Sequence, residues 1–341
     1  RPLQTLTLAA ALSCTMATGW ASILTQTPNQ QNNDYEMFME KIRNTTIKNP
    51  SIDKNLALFQ ENGSFSDIDY DDTQMTNWTP IQHIERLSDF VYAYTNEKNK
   101  YYQNEDLYQK IVKGLEYWYD VDSESDKLGV LLIQMRIGKK QIPQELETKI
   151  LKRIQETGGD PAKWTGANRT DIALHWIYRS CLTQNEADLK TAIDNVFNPV
   201  VYTTEEGFQH DNSYFQHGEQ LYIGGYGDEI LKGVTQVASY ALGTQYQLDK
   251  EKVELLSKFM RETYYRTVRG QNMSFDVVGR SVSRPGLLNK RTTTTYAQRM
   301  IDIDPAHADE YKAIIARLNR KQPADYQVTA SHTHYFRGDY S

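Results

Sequence analysis

Residues Asn212 to Gly227 read Asn-Ser-Tyr-Phe-Gln-His-Gly-Glu-Gln-Leu-Tyr-Ile-Gly-Gly-Tyr-Gly, with His217 nine residues before a glycine-flanked Tyr226. Arg280 and Arg284 follow in a later glycine- and proline-marked segment. Histidine, tyrosine and arginine together are what is needed to pull a proton from a carbon beside a carboxylate. A free tyrosine releases its proton near pH 10, so a tyrosine base needs positive charge nearby, which Arg280 and Arg284 supply. Histidine titrates near neutrality and serves as base, acid or donor. The chemistry this set fits is β-elimination in an acidic polysaccharide. Each residue also has a plainer use: Tyr226 as a packed loop aromatic, His217 as a surface or capping histidine. Asn168 either donates to a substrate carboxylate or, with Thr170, caps the next helix. Trp164 fits a sugar platform and ordinary packing equally well. His210 ranks below His217, because no glycine flanks it.

The elements that must position these groups are mainly helical. Leu87, Phe90, Val91 and Tyr94 form one apolar stripe, and Leu107, Ile111, Leu115 and Trp118 a second. Further helices are expected over 130–137, 143–154, 170–182, 186–197, 228–241, 250–268, 292–301 and 305–318. Asp249 suits an N-cap and Pro305 a first helical turn. Successive helix pairs without a strict sequence repeat point to an α/α solenoid or toroid. Tyr326 to Phe336 is β-prone, a strand without a partner in this chain. The expected organisation is a signal peptide over 1–21, a linker over 22–34, an α/α-toroid catalytic domain over 35–322 and the start of a truncated β domain over 323–341. The chain therefore reads as the front part of a longer protein.

Composition narrows the function classes. The 341 residues carry a formal net charge of −6, which argues against a general nucleic-acid binder. A local basic groove for an anion remains open: Arg261, Arg266, Arg269, Arg280, Arg284, Lys290 and Arg291 face only Glu262 and Asp276 in that stretch of sequence. The uncharged run from Leu6 to Trp20, with Gly19-Trp20-Ala21 behind it, reads as an export signal and not a membrane span. A periplasmic or secreted location follows. Cys14 offers a poor lipoprotein alternative. With it removed, Cys181 would stand alone, so neither an intrachain disulfide nor a cysteine metal site is expected.

Several separated motifs, in order, resemble polysaccharide lyase family 8, the hyaluronate, chondroitin and xanthan lyases, and within it the chondroitin AC lyase group. They are Phe65-Ser-Asp-Ile-Asp-Tyr70 with Asn77-Trp78, Gly166-Ala-Asn-Arg-Thr-Asp171, Asp211 to His217, Tyr222-Ile-Gly-Gly-Tyr226, Gly279-Arg-Ser-Val-Ser-Arg-Pro285 and His334-Tyr-Phe-Arg-Gly-Asp-Tyr340. The resemblance implies an incomplete α/α toroid followed by antiparallel β domains. It implies cleavage of a glycosaminoglycan such as chondroitin sulfate or hyaluronan. It assigns Tyr226 the C5 proton, Arg280 the phenolate and bridging oxygen, His217 a share in proton handling, and Asn168 the uronate carboxylate, with Arg284 binding nearby. No metal or cofactor enters that scheme, and a monomer is expected. Two departures stand out. The tryptophan pair usual in the family is missing where Ser123 to Gly129 runs into the next helix, and the family's catalytic glutamate has no counterpart in this chain. A non-catalytic glycan-binding protein and a toroid glycoside hydrolase with paired carboxylates, drawn from Glu205, Glu206 and Asp211, are the competing readings.

Overall fold

In a computed structural model the described residues are 28–320, apart from 75–76, 122–125 and 139. The expected export signal and the β-prone segment lie outside them. Among the described residues the fold is built from twelve α-helices. These are α1 (Pro28–Thr46), α2 (Asp53–Leu58), α3 (Ile81–Thr95), α4 (Glu105–Val121), α5 (Asp126–Ile137), α6 (Gln144–Thr157), α7 (Gly166–Thr183), α8 (Glu186–Phe197), α9 (Tyr226–Ala241), α10 (Lys250–Lys258), α11 (Thr294–Ile303) and α12 (Ala308–Leu318). Two small antiparallel ribbons interrupt them: β1 (Gly207–Phe208) with β2 (Tyr214–Phe215), and β3 (Val268–Arg269) with β4 (Asn272–Met273).

The helices pack as a double layer. In one layer α3, α5, α7, α9 and α11 are successive neighbours; α4, α6, α8 and α12 each pack on the helix before them. Helix α1 lies across α5, α7 and α9, burying Tyr35, Phe38, Met39 and Ile42, which fall on one helical face at spacings of three and four. Helix α5 is enclosed by α1, α3 and α7, and Leu128, Leu131, Leu132, Ile133 and Met135 are all buried on it. An all-round apolar helix is what such a central position requires. The helices approach closely: a Cβ on Gly233 of α9 would lie 2.3 Å from the Thr170 side chain of α7.

Several expectations change at the element ends. The stretch read as a linker over 22–34 is helical from Pro28, and Asp34 is buried where it accepts from the Gln245 amide. Helix α7 starts at Gly166, with Thr165 before it. Asn168 and Thr170 are therefore inside the first turns and do not cap it. The segment expected as one helix over 250–268 leaves α geometry at Phe259 and continues as a π turn to Tyr264. That turn lets Thr263 exchange hydrogen bonds with Asn212, accepting from Nδ2 at 2.7 Å and donating to the Asn212 carbonyl at 2.8 Å. The Asp249 cap forms as expected, accepting from the Lys252 amide at 2.9 Å. Pro305 opens a short 3-10 turn ahead of α12.

The Phe65–Tyr70 motif has a structural use. Tyr70 Oη accepts from the Phe65 amide at 3.0 Å and donates to His83 Nδ1 at 2.8 Å, while His83 Nε2–H donates to the Gly114 carbonyl at 2.9 Å. A carbonyl only accepts, so this ring is the neutral Nε2–H tautomer. Burial lowers the His83 pKa from 6.5 to about 4 and pushes the Tyr70 hydroxyl up to about 12. The unfolded chain then binds a proton between pH 6.5 and 4 that the folded protein refuses. Stability from this group is complete above the unfolded value and falls as the pH drops through that window, by roughly 3 kcal/mol. Urea unfolding at neutral and acidic pH should show the advantage of wild type over His83→Gln shrinking by about that amount on acidification. A pH-independent difference would contradict a buried neutral ring.

Candidate active site

Tyr226 is the first residue of α9, and Gly225 before it carries the non-helical turn. Its hydroxyl lies 3.1 Å from His217 Nε2 and 3.1 Å from Arg280 Nη2. Arginine only donates, so the Tyr226 proton is directed at His217, the partner able to accept it. The hydrogen-bonded order is Arg280 N–H to Tyr226 Oη–H to His217 Nε2. His217 and Arg280 are exposed and Tyr226 is half-buried, so the hydroxyl sits at an accessible surface.

Tyr222, fully buried, holds these three groups in register. Its hydroxyl accepts from the Arg280 backbone amide at 2.9 Å. Its ring packs edge-on against Tyr226 at 5.1 Å and His217 at 6.0 Å between centroids. The Arg280 segment reaches it through Gly279, whose φ is +52° and whose added Cβ would lie 2.3 Å from Tyr222 Cζ. Helix α9 is pinned from below by Asp228, which accepts from Tyr264 Oη at 2.6 Å and Lys290 Nζ at 2.9 Å. Lys290 also donates to the Gly224 carbonyl at 3.0 Å. An acid in the first turn favours the helix dipole. Burial, and next the Asp228 charge, push the Tyr264 hydroxyl well up, which keeps it a donor.

His217 sits at a hairpin tip with φ +58°, followed by Gly218 at +79°. The Gln216 backbone amide donates to the Gln220 carbonyl at 3.1 Å, so the tip is a three-residue loop, 217–219. The flanks of this tip are held by Glu206, which accepts from Gln216 Nε2 and from the Gly218 amide, the latter at 2.9 Å.

Of the residues singled out in the sequence, His217, Tyr226 and Arg280 are brought together. Asn168 and Trp164 are exposed at the start of α7, and no hydrogen bond or ring contact among the described residues joins either to Tyr226. Arg284 is exposed just past the 3-10 turn carrying Arg280, its backbone amide bonded to Ser281. Lys290 departs from its expected place in a basic groove: it is buried and neutralised by Asp228. Arg261 likewise pairs with Glu310 at 3.1 Å. His210 stacks on Tyr202 at 5.3 Å and takes no part in the cluster. Tyr222 and Asp228 carry no candidate role in the sequence reading, and Glu206 enters there only as one acid of a hydrolase pair. The close spacing of Tyr222 and Tyr226 is the local signal for the post, whereas Arg280 on Tyr222 and Tyr264 and Lys290 on Asp228 come from distant segments.

Residues 20–317 match the model of the polysaccharide lyase family 8 N-terminal alpha-helical domain. This chain belongs to polysaccharide lyase family 8. It is 38% identical over 329 residues to chondroitinase-AC of Pedobacter heparinus, covering 91% of this chain and 47% of that protein. It is 25% identical over 272 residues to the family 8 protein HylA of Enterococcus faecalis, covering 70% of this chain and 20% of that one. The chain thus spans about half the length of chondroitinase-AC. A solved chondroitinase AC lyase, reported with enzyme–oligosaccharide complexes, superposes with a TM-score of 0.80 at 38% identity, over 86% of this chain and 46% of that one. A Paenibacillus xanthan lyase superposes at 0.65 with 17% identity, over 90% and 33%, and shares the fold. The double layer of helices is accordingly the α/α toroid of family 8.

The Tyr222 post gives a direct check on the site's construction. Gly279→Ala carries both the positive-φ cost and the overlap with Tyr222, whereas Gly270→Ala, at φ +61° with nothing within 4 Å, carries only the first. Thermal or urea unfolding should find Gly279→Ala the less stable by about 1–3 kcal/mol. Equal stability of the two variants would show that Tyr222 does not hold its position.

Proposed function

We propose that this chain is the helical catalytic part of an exported lyase that cleaves a uronate-containing glycosaminoglycan, of the chondroitin sulfate or hyaluronan type, by β-elimination. The observation that carries the reading is the Tyr226 hydroxyl held between Arg280 and His217, at 3.1 Å from each. Export rests on the uncharged run from Leu6 to Trp20.

In this reading Tyr226 passes its proton to His217 and then takes the C5 proton of the uronate. The C5–H electrons form the C4–C5 double bond, the C4–O bond breaks, and the leaving oxygen takes the proton back from Tyr226. Arg280 lies where negative charge develops on the phenolate and the bridging oxygen, and a preorganised donor there lowers the barrier most. Asn168 and Arg284 bind the uronate and its neighbour, with Trp164 offering an exposed sugar face. Asn168 has a side chain free to meet the carboxylate because it does not cap α7.

The acids nearest the motif do not favour a hydrolase. Glu206 has both oxygens committed to Gln216 and Gly218. Asp211 accepts from the Ser213 hydroxyl and amide, which hold its carboxyl below the usual range. A glycosidase acid needs the opposite shift.

Full-length protein incubated with chondroitin sulfate or hyaluronan should generate the ultraviolet absorbance of an unsaturated uronate. Tyr226→Phe should lose turnover and keep substrate binding, and Arg280→Ala should lose roughly a hundred- to a thousandfold in kcat. Substantial turnover by Tyr226→Phe would remove Tyr226 as the base. A saturated product would point to hydrolysis.

A further inference from the structure

We infer that Glu206 is a positioning residue for the reaction, a carboxylate clamp that holds His217 in the left-handed conformation its hydrogen bond to Tyr226 requires. The inference rests on the lyase reading above and adds to it a residue that does not touch the reacting groups.

The geometry is specific. His217 is a non-glycine residue at φ +58°, a conformation that costs an L-residue about 1–2 kcal/mol and persists where its surroundings impose it. Glu206 lies one residue before β1, and β1 pairs with β2, which leads into the tip. One carboxylate oxygen accepts from the Gln216 side chain, and the other accepts from the Gly218 backbone. The two bonds therefore bracket His217 on both sides. Gln216 is itself buried, and its backbone N–H donates to the Gln220 carbonyl at 3.1 Å, closing the loop. Among the described residues no lysine or arginine pairs with Glu206, so its two oxygens serve this tip alone.

A carboxylate is the group this arrangement demands. Both partners are donors, and only an ionised acid offers two acceptor oxygens in a fork. Glutamine would turn an NH2 toward one of the two donors and lose that bond. Alanine would lose both. With the clamp open, the backbone at 217 can relax toward ordinary negative φ, which swings the imidazole away from the Tyr226 oxygen. A misplacement of about 1 Å at a catalytic group costs on the order of a hundredfold.

The test uses the full-length enzyme. Glu206→Ala should lower kcat by roughly ten- to a hundredfold with KM changed less than about twofold, and Glu206→Gln should fall between it and wild type. The His217 imidazole resonances, assigned by their loss in His217→Asn, should shift in Glu206→Ala while the thermal midpoint stays close to wild type. If Glu206→Ala destabilises the fold, Glu206→Gln carries the same two readouts. Unchanged kcat, or His217 resonances identical to wild type, would overturn the clamp. If Tyr226→Phe retains turnover, the role of Tyr226 as base fails instead, and if the product is saturated the lyase reading fails; in either case the imidazole shift still decides whether Glu206 holds the tip.

Discussion

The site depends on a buried tyrosine more than on any exposed residue. Tyr222 accepts the Arg280 backbone N–H at its hydroxyl oxygen and packs its ring against both His217 and Tyr226. Three groups from three segments are thereby indexed to one rigid body. A buried hydroxyl must find a partner, and here the partner is the amide of the residue whose guanidinium meets Tyr226. Satisfying the core and aiming Arg280 are the same event.

Charge is arranged in two tiers around this post. At the surface, Arg280 stands beside the Tyr226 oxygen, with Arg284 a turn away. Beneath it, the buried Lys290 and the half-buried Asp228 form a pair completed by Tyr264 and by the Gly224 carbonyl. A buried pair adds little net stability, but breaking it leaves a charge stranded. Its effect is to fix the turn before Tyr226 and the first turn of α9 together. The π turn after α10 works on the other side, tying Asn212 and so the base of the His217 hairpin to the same body. Rigid helices thus carry Tyr226, while the hairpin and the 3-10 segment that bring His217 and Arg280 are bonded back to them.

The motifs quoted from the sequence divide by use. The Phe65–Tyr70 segment builds an internal hydrogen-bond chain to His83 and Gly114. The Asp211–Tyr226 and Gly279–Arg284 segments make the surface cluster. One stretch answers a buried polar ring that needs two partners, and the others gather three polar side chains at the surface.

Helical periodicity marked most of the helices, because a one-sided apolar stripe is local information. Glycines around Tyr226 and beside His217 marked backbone that must turn sharply, and so pointed to the cluster. The same local signals read 22–34 as a linker because its polar residues carry no apolar stripe, whereas Pro28 onward is the start of α1. Lys290 looked like one more cation in a basic run, and only the approach of Asp228 from 62 residues away made it internal. The sequence by itself determined the residue types, the helical class and which histidine, tyrosine and arginine to look for together. The tertiary structure decided which arginine meets the tyrosine, which acid holds the histidine and which charges never see solvent. Those choices turn on distances of about 3 Å between groups that only the folded backbone brings together, and no local pattern encodes them.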